Sequence, residues 1–306
     1  MKIVFFGSTN FSVPIVKKIN EYYGLAGVVI SKPKPKGRGL TVELPEIGKW
    51  AVENNIKLFE PENPNEISFI ENLALISPDI IVLSAYGYIL SGELLRVPKM
   101  GGINIHPSLL PKYRGAAPIQ RAIMAGEKKT GVTIFFMDEK IDHGKIILQK
   151  EIEIDKNDTY GSLSRRLSLL GAEMVIEALR LIENNEYRVI EQNESEMTYA
   201  PKIKKEETII NWRDKSEKIY NLIRALNPAP CARTHFRNSE LIILESEIGD
   251  KEIEPGVFHI ENKKFYVGTG DGSIILKTLK PENRRVMSAL DFINGYRIKS
   301  GERFQI

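Results

Sequence analysis

The amino-acid sequence predicts an α/β protein with two domains, an N-terminal Rossmann-like domain around a mostly parallel sheet and a smaller C-terminal OB-like β-barrel. Two observations support this prediction. In the first half of the chain, short apolar runs alternate with amphipathic segments at helical spacing, which is typical of right-handed crossovers in a parallel sheet. After about residue 208 the pattern changes to short strands with turn signals between them, as in barrels of the oligonucleotide/oligosaccharide-binding type.

The elements of the first domain are predicted from apolar periodicity. The chain enters a strand at once, Ile3 to Phe6, and the turn Gly7 to Phe11 lacks the GxGxxG pattern, which disfavours a nicotinamide enzyme. Further strands are predicted at 25–30, 56–59, 79–85, 103–106, 131–137 and 145–154, with helices near 12–19, 50–52 and 66–75 and a long amphipathic helix from 159 to 182.

Asn, Glu and Gln dominate residues 184–208, which we interpret as the region of an extended linker. The predicted bounds are 1–188 for the first domain, 189–207 for the linker and 208–306 for the second domain. Within the second domain a helix is predicted at 216–226, strands at 232–236, 241–246, 256–260, 264–268 and 273–279, and a last helix at 288–294.

Composition narrows the classes of function. A single cysteine, Cys231, rules out an internal disulfide and a cluster of thiol metal ligands. No apolar run approaches the roughly 18 residues of a membrane span, and the N-terminus has no signal-peptide layout. We therefore expect a cytoplasmic protein without membrane association. The formal net charge of +3 permits nucleic-acid binding without arguing for it.

The most informative stretch runs from Gly102 to Gly144. Asn104 and His106 share one face of a predicted strand, because side chains alternate with period two, and Pro107 ends that strand just beyond them. Asp142 lies in a turn after the next strand. An amide, an imidazole and a carboxylate at neighbouring strand ends form a candidate proton-transfer set. A structural histidine followed by an ordinary turn would give the same pattern, and these residues alone leave both interpretations open.

Two motifs surround the histidine. His106 to Pro111 reads HPSLLP, and Tyr113 to Ile119 reads YRGAAPI. Together with the spacing to Asp142, they resemble the signature of the folate-dependent formyltransferases, and the resemblance extends across the whole chain. It implies transfer of a formyl group from 10-formyltetrahydrofolate to an amine, with no metal ion and no covalent enzyme intermediate.

The resemblance also implies roles for the three polar residues. The amine attacks the formyl carbon, the carbonyl oxygen becomes an oxyanion, and the amine loses a proton. Asn104 is expected to donate to the oxyanion. His106 is expected to donate to the same oxygen or to relay the amine proton, with Asp142 orienting it. Which of His106 and Asp142 is the immediate base stays open.

The implied folate-binding residues come from two strand ends. They are Ser108, Leu109, Leu110, Pro111, Tyr86 and Gly87. Leucine and proline can cover an apolar ring system, while backbone groups meet the donors and acceptors of the pterin. The four residues of the SLLP segment could equally form a plain strand-to-loop cap.

The acceptor implied by the resemblance is the α-amino group of methionine on initiator Met-tRNA, a substrate of translation initiation, and we expect a monomer. An amino-sugar nucleotide is the alternative acceptor, because sugar-nucleotide formyltransferases share the motifs. The segment Ile223 to Pro230, which resembles the tRNA enzymes, favours the tRNA acceptor. A non-catalytic RNA-binding protein on a degenerate enzyme fold is disfavoured, because Asn104, His106 and Asp142 are all present.

A basic segment follows the predicted strand 25–30 and leaves the same carboxyl edge as the candidate site. Pro33 and Pro35 keep this segment extended. An extended cationic loop suits phosphate contacts with the tRNA acceptor stem, although a solvated surface loop would read the same way. The residues predicted to bind tRNA are Lys32, Lys34, Lys36 and Arg38.

Arg38→Ala is expected to impair formylation of Met-tRNA and to leave folate binding unchanged, because the lost contact is with phosphate. Each lost phosphate contact should reduce the slope of log K against log salt by roughly one unit. Formylation rates and tRNA affinity at several salt concentrations measure both effects. If the Arg38→Ala protein formylated Met-tRNA at the wild-type rate and with the wild-type salt dependence, the segment would be a linker without a role in tRNA binding.

Overall fold

The computed structural model describes residues 1–33 and 43–305, so Lys34, Lys36 and Arg38 lie outside the described residues. The chain forms two compact units. The first contains residues 1–118, 129–153 and 164–201, and the second contains residues 119–128, 154–163 and 202–306. The predicted linker 189–207 is thus shared between the units, and the predicted domain bounds stay a prediction. None of the described helices is both long and apolar enough to cross a membrane.

The first unit is built on a seven-stranded sheet. Its strands are β1 (Ile3–Phe6), β2 (Gly27–Val29), β3 (Leu58–Phe59), β4 (Ile80–Leu83), β5 (Gly102–His106), β6 (Lys129–Phe136) and β7 (Ile146–Glu153). The order is β3-β2-β1-β4-β5-β6-β7. The first five strands are parallel, and β6 and β7 add antiparallel pairs at one edge, which confirms the predicted mostly parallel sheet.

Helices connect these strands. They are α1 (Ser12–Tyr23), α2 (Glu46–Glu53), α3 (Ile67–Ile76), α4 (Gly92–Leu95), α5 (Pro118–Met124) and α6 (Tyr160–Glu183). Helices α4 and α5 were not predicted, because four and seven residues are too few to show a clear helical pattern. Ser12, the first residue of α1, donates its hydroxyl to the carbonyl of Ser84 at 2.6 Å and so ties the start of α1 to the end of β4.

The order of the strands makes a topological switch point at β1, where α/β sheets generally have a crevice beyond the carboxyl ends of their strands. Because β1 lies between β2 and β4, the connections on its two sides diverge there. A serine relay joins the loops at this edge. The Ser8 hydroxyl donates to Ser31 Oγ at 2.9 Å, and Ser31 Oγ donates to the carbonyl of Tyr86 at 2.7 Å. Strand β5, which carries Asn104 and His106, ends at the same edge.

The second unit contains an antiparallel sheet, which confirms the predicted smaller β domain. Its strands are β8 (Ala232–Phe236), β9 (Ser239–Ile248), β10 (Phe258–Glu261), β11 (Lys264–Thr269), β12 (Gly272–Pro281) and β13 (Met287–Ser288), with helices α7 (Ser216–Leu226) and α8 (Ala289–Tyr296). The order is β10-β11-β12-β9-β8, with β13 paired to β12. An aromatic cluster lies in its core. The ring of Phe304 stacks on Trp212, with the ring centroids 5.0 Å apart, and meets Phe258 edge-on at a centroid distance of 4.5 Å.

The threonine opposite His106 holds the loop that leaves β5. Thr133 is fully buried and pairs with His106 in the β5–β6 register. Its hydroxyl donates to the carbonyl of Ser108 at 2.7 Å and accepts from the backbone N–H of Leu110 at 3.2 Å. The loop after His106 is therefore fastened to the neighbouring strand by one side chain.

Thr133→Val is expected to lower the free energy of unfolding by about 1–3 kcal/mol, because it leaves buried backbone groups without partners. Denaturant unfolding measures the change. Thr278→Val is the matched control, since that hydroxyl donates only to Glu245 at the surface. A loss at Thr133 no larger than the loss at Thr278 would show that the loop does not depend on this hydroxyl.

Glu207 makes a bidentate ion pair in the second unit. Arg121 donates to its two carboxylate oxygens at 2.6 and 3.0 Å, and the backbone N–H of Lys204 donates at 2.9 Å. These hydrogen bonds, that of Arg121 foremost, lower the pKa of Glu207 to about 2. The folded protein thus favours the ionised form.

Glu207→Gln is expected to lower the unfolding free energy at pH 7 by up to about 1 kcal/mol, since the pair is partly exposed. A depressed folded pKa stabilises the protein above the ordinary glutamate pKa, and this contribution disappears as the pH falls toward 2. Denaturant unfolding of wild type and Glu207→Gln between pH 7 and pH 2 measures whether their unfolding free energies converge. Glu206→Gln is the control, and a variant difference independent of pH would contradict the assignment.

Candidate active site

Asp142 lies close to both Asn104 and His106, two residues of β5. The amide nitrogen of Asn104 donates to Asp142 Oδ1 at 3.2 Å, and His106 Nδ1 lies 3.5 Å from Asp142 Oδ2. Strands β5 and β6 are antiparallel, so the end of β6 lies beside the start of β5, and the segment after β6 carries Asp142 back to Asn104 and His106. The structure therefore brings together the three residues that the sequence had suggested as a proton-transfer set.

His106 is held at its second nitrogen. Its Nε2 lies 2.9 Å from the carbonyl oxygen of Tyr113. A carbonyl oxygen only accepts, so Nε2 carries a hydrogen and donates it. The neutral ring then has its lone pair at Nδ1, the atom that faces Asp142. The side chain is only 5% exposed.

Asp142 is fixed by donors on both carboxylate oxygens. Oδ1 accepts from Asn104, and Oδ2 accepts from the backbone N–H of Gly115 at 2.8 Å. The backbone of Asp142 is left-handed, with φ of 47°. Aspartate tolerates this conformation better than most residues, but it still needs support from its surroundings.

Asn104 presents an unsatisfied atom at the site. Its Oδ1 is buried and has no hydrogen-bond partner among the described residues. The amide cannot be turned round, because the carboxylate of Asp142 requires a donor at the other position. One hydrogen of Nδ2 goes to Asp142, which leaves the second hydrogen and Oδ1 for a ligand. Buried polar groups are normally paired, so an orphan here indicates a binding position.

Left-handed residues cluster in the loops around this site. Ala85 follows β4 with φ of 47°, Tyr113 follows β5 with φ of 62°, and Asp142 follows β6. Gly115 has φ of 118°, and a Cβ there would lie 2.9 Å from the carbonyl oxygen of Ala200, so glycine is required. Strained backbone held by its surroundings is common at active sites.

The SLLP segment is largely satisfied within the chain. Ser108 is fully buried and donates its hydroxyl to the carbonyl of Lys112 at 2.7 Å, while the carbonyl of Leu110 accepts from Gln149 at 2.9 Å. These contacts are those of a strand-to-loop cap. Leu109 and Pro111 are the partly exposed members of the four. The folate-binding role of the segment stays a prediction, and it would rest on these two side chains.

Tyr86 and Gly87 differ in how accessible they are to a ligand. The Tyr86 side chain is 2% exposed and packs edge-on against Phe6 at 5.2 Å. Burial raises the pKa of the Tyr86 hydroxyl, and the neighbouring Tyr88 adds to this. The hydroxyl has no partner among the described residues. Gly87 is exposed with φ of 93° and open space around it. Of this pair, only the backbone of Gly87 is open to a folate.

Lys32 is the one member of the basic segment within the described residues. It is exposed and pairs with Glu62, whose hydrogen bond and charge raise the pKa of the lysine. A phosphate would therefore compete with an existing partner. Within residues 1–33 and 43–305, no group of three or more His, Cys, Asp or Glu side chains is arranged to hold a metal ion.

Sequence reasoning missed a network behind Asp142. Arg114, only 3% exposed, donates to Glu194 Oε1 at 2.7 Å and to Gln192 Oε1 at 2.7 Å. Its hydrogen bonds lower the pKa of Glu194. Nearby, His143 Nδ1 lies 2.6 Å from Asp138 Oδ2. Arg114 lies in the YRGAAPI motif and could have been suspected from it. Gln192 and Glu194 lie in the predicted linker, and no sequence pattern marks them.

Two models of formyl transferase domains match the chain. The model described as formyl transferase matches residues 1–179, and the model described as formyl transferase, C-terminal domain, matches residues 202–297. A methionyl-tRNA formyltransferase from Dictyoglomus turgidum is 41% identical, with 100% of this chain and 99% of the relative covered. One from Fusobacterium nucleatum is 38% identical, with 99% of each covered.

Solved structures share the fold. A sugar 3N-formyl transferase, crystallised in the presence of dTDP and 5-N-formyl-THF, aligns with a TM-score of 0.67 at 25% identity over 93% of this chain and 99% of that chain. A methionyl-tRNA formyltransferase from Clostridium thermocellum aligns with a TM-score of 0.58 at 18% identity, over 83% of this chain and 96% of that chain.

Proposed function

The chain belongs to the formyl transferase family, and on that premise we propose that it transfers the formyl group of 10-formyltetrahydrofolate to the α-amino group of methionine on initiator Met-tRNA. One observation carries the choice of acceptor. Relatives named methionyl-tRNA formyltransferase are about 40% identical over essentially the whole length of both chains. The reaction would supply formylated initiator tRNA for translation.

Asn104 is proposed to stabilise the tetrahedral intermediate. As the amine nitrogen attacks the formyl carbon, negative charge develops on the formyl oxygen, and the second hydrogen of Asn104 Nδ2 is available for it. The unpartnered Oδ1 can accept a hydrogen from the attacking amine. The contact with Asp142 supports this proposal, because it holds the amide in the one orientation that presents both atoms.

The His106–Asp142 pair is proposed to take the proton of the amine. The carbonyl of Tyr113 holds Nε2–H, so Nδ1 and the carboxylate form the accepting side of the pair. Collapse of the intermediate breaks the bond from carbon to N10 of the folate, and that nitrogen regains a proton. We propose that these two neighbouring groups act together as one proton acceptor.

The folate is proposed to bind at the carboxyl edge of the sheet. Leu109, Pro111 and the backbone of Gly87 are partly or fully exposed there. A structural neighbour at 25% identity was crystallised with a formylated folate, which supports a folate donor. Binding of tRNA by the second unit and by the segment containing Lys32, Lys34, Lys36 and Arg38 remains part of the proposal.

The test is a comparison of acceptors. The protein is incubated with 10-formyltetrahydrofolate and either initiator Met-tRNA, elongator Met-tRNA or a dTDP-linked amino sugar, and formylated product is measured. We expect formylation of initiator Met-tRNA, slower formylation of elongator Met-tRNA and none of the amino sugar. Preferential formylation of the amino sugar would establish the alternative function.

Asn104→Ala, His106→Ala and Asp142→Ala are each expected to lower kcat by roughly 10²–10³-fold, the cost of removing one transition-state donor in other enzymes. Single-turnover formylation of Met-tRNA measures the change, and circular dichroism checks folding. His259→Ala, a partly exposed histidine of the second unit, should leave kcat unchanged. Near-normal turnover of a folded Asp142→Ala protein would remove the aspartate from the mechanism.

A further inference from the structure

We propose that Gln192 is a positioning residue for Asp142, holding the turn that presents the carboxylate to His106. This proposal rests on the proposed function, in which Asp142 is part of the proton acceptor. Three features of the molecule support it: the contacts of the Gln192 amide, the orientation that Arg114 gives to that amide, and the unfavourable backbone conformation of Asp142.

The side-chain amide of Gln192 clamps the turn from both sides of His143. Its Nε2 donates to the carbonyl of Asp142 at 2.9 Å and to the carbonyl of Gly144 at 2.9 Å. Both hydrogens of the amide are therefore used on one short turn. This fixes the backbone of Asp142 relative to a segment fifty residues further along the chain.

Arg114 determines which way the amide points. Its Nε and Nη2 donate to Gln192 Oε1 at 3.1 and 2.7 Å, so the oxygen of the amide faces the guanidinium and the nitrogen must face the turn. Arg114 is itself held by Glu194 through two further hydrogen bonds, at 3.1 and 2.7 Å. A buried guanidinium with these fixed partners is a rigid support for the amide.

The two ends of Asp142 are thus held by consecutive residues. Arg114 acts through Gln192 on the backbone carbonyl of Asp142, and the N–H of Gly115 acts directly on its carboxylate at 2.8 Å. This matters because the backbone of Asp142 is left-handed, with φ of 47°. Without the clamp, the residue can relax to an ordinary conformation that carries the carboxylate away from His106.

A purely structural role for Gln192 is the alternative. In that case its task is only to accept hydrogen bonds from Arg114. Gln192→Glu separates the two roles, because a carboxylate still accepts from Arg114 but cannot donate to the carbonyls of Asp142 and Gly144. Gln192→Ala removes both functions. Glu191→Gln, which breaks only the surface pair with Lys145, is the matched control.

The expected result is a loss in kcat of about 10–100-fold for both Gln192→Ala and Gln192→Glu, by analogy with residues that orient the ligands of a metal ion. The KM values for Met-tRNA and 10-formyltetrahydrofolate should change less than threefold, and Glu191→Gln should behave as wild type. Wild-type kcat in Gln192→Glu would overturn the proposal. It would do so even if Gln192→Ala failed to fold, because Gln192→Glu keeps the Arg114 contact.

A double-mutant cycle provides a readout that a structural role would not move. If Gln192 acts through Asp142, then Gln192→Glu should cost no further activity in an Asp142→Ala background. Additive losses would contradict the proposal. The single variants also separate the proposal for Gln192 from the proposed function. Near-normal activity of Asp142→Ala would refute the proposed role of Asp142. Normal activity of Gln192→Glu, with Asp142→Ala impaired, would refute only the role of Gln192.

Discussion

The carboxylate of Asp142 is the point on which the candidate site depends. It is 12% exposed and must be compensated by donors, because a poorly solvated charge without partners is costly. The donors come from β5, through Asn104, and from the loop after β5, through Gly115. His106 approaches the same carboxylate. The carboxylate of Asp142 is thus the common partner of the Asn104 amide, the His106 imidazole and the backbone of Gly115.

Much of this arrangement could be predicted from local rules. Period two placed Asn104 and His106 on one face, and the alternation of strands and helices indicated the parallel sheet whose edge carries them. Side-chain burial at the ends of strands was harder to predict. Tyr86 was expected to bind a ligand, but its ring continues the core of the sheet, and only its neighbour Gly87 is open.

The contacts of Gln192 with distant segments could not be predicted from the sequence. Gln192 is an unremarkable polar residue in a polar stretch, and no periodicity or motif marks it. Its role depends on the return of residues 189–201 to the first unit, where Ile190 pairs with Ile146 and Tyr199 pairs with Arg114. A stretch that composition indicated as a linker is held by backbone hydrogen bonds, and composition does not report such pairing.

The interleaving of the two units limits how such proteins can exchange parts. Residues 119–128 and 154–163 group with the second unit although they lie between segments of the first. A chimaera joined at residue 201 would therefore carry a foreign second unit beside two native segments shaped for the original one. Recombination within the family is constrained accordingly, and a functional exchange of the second unit would have to transfer three stretches of sequence together.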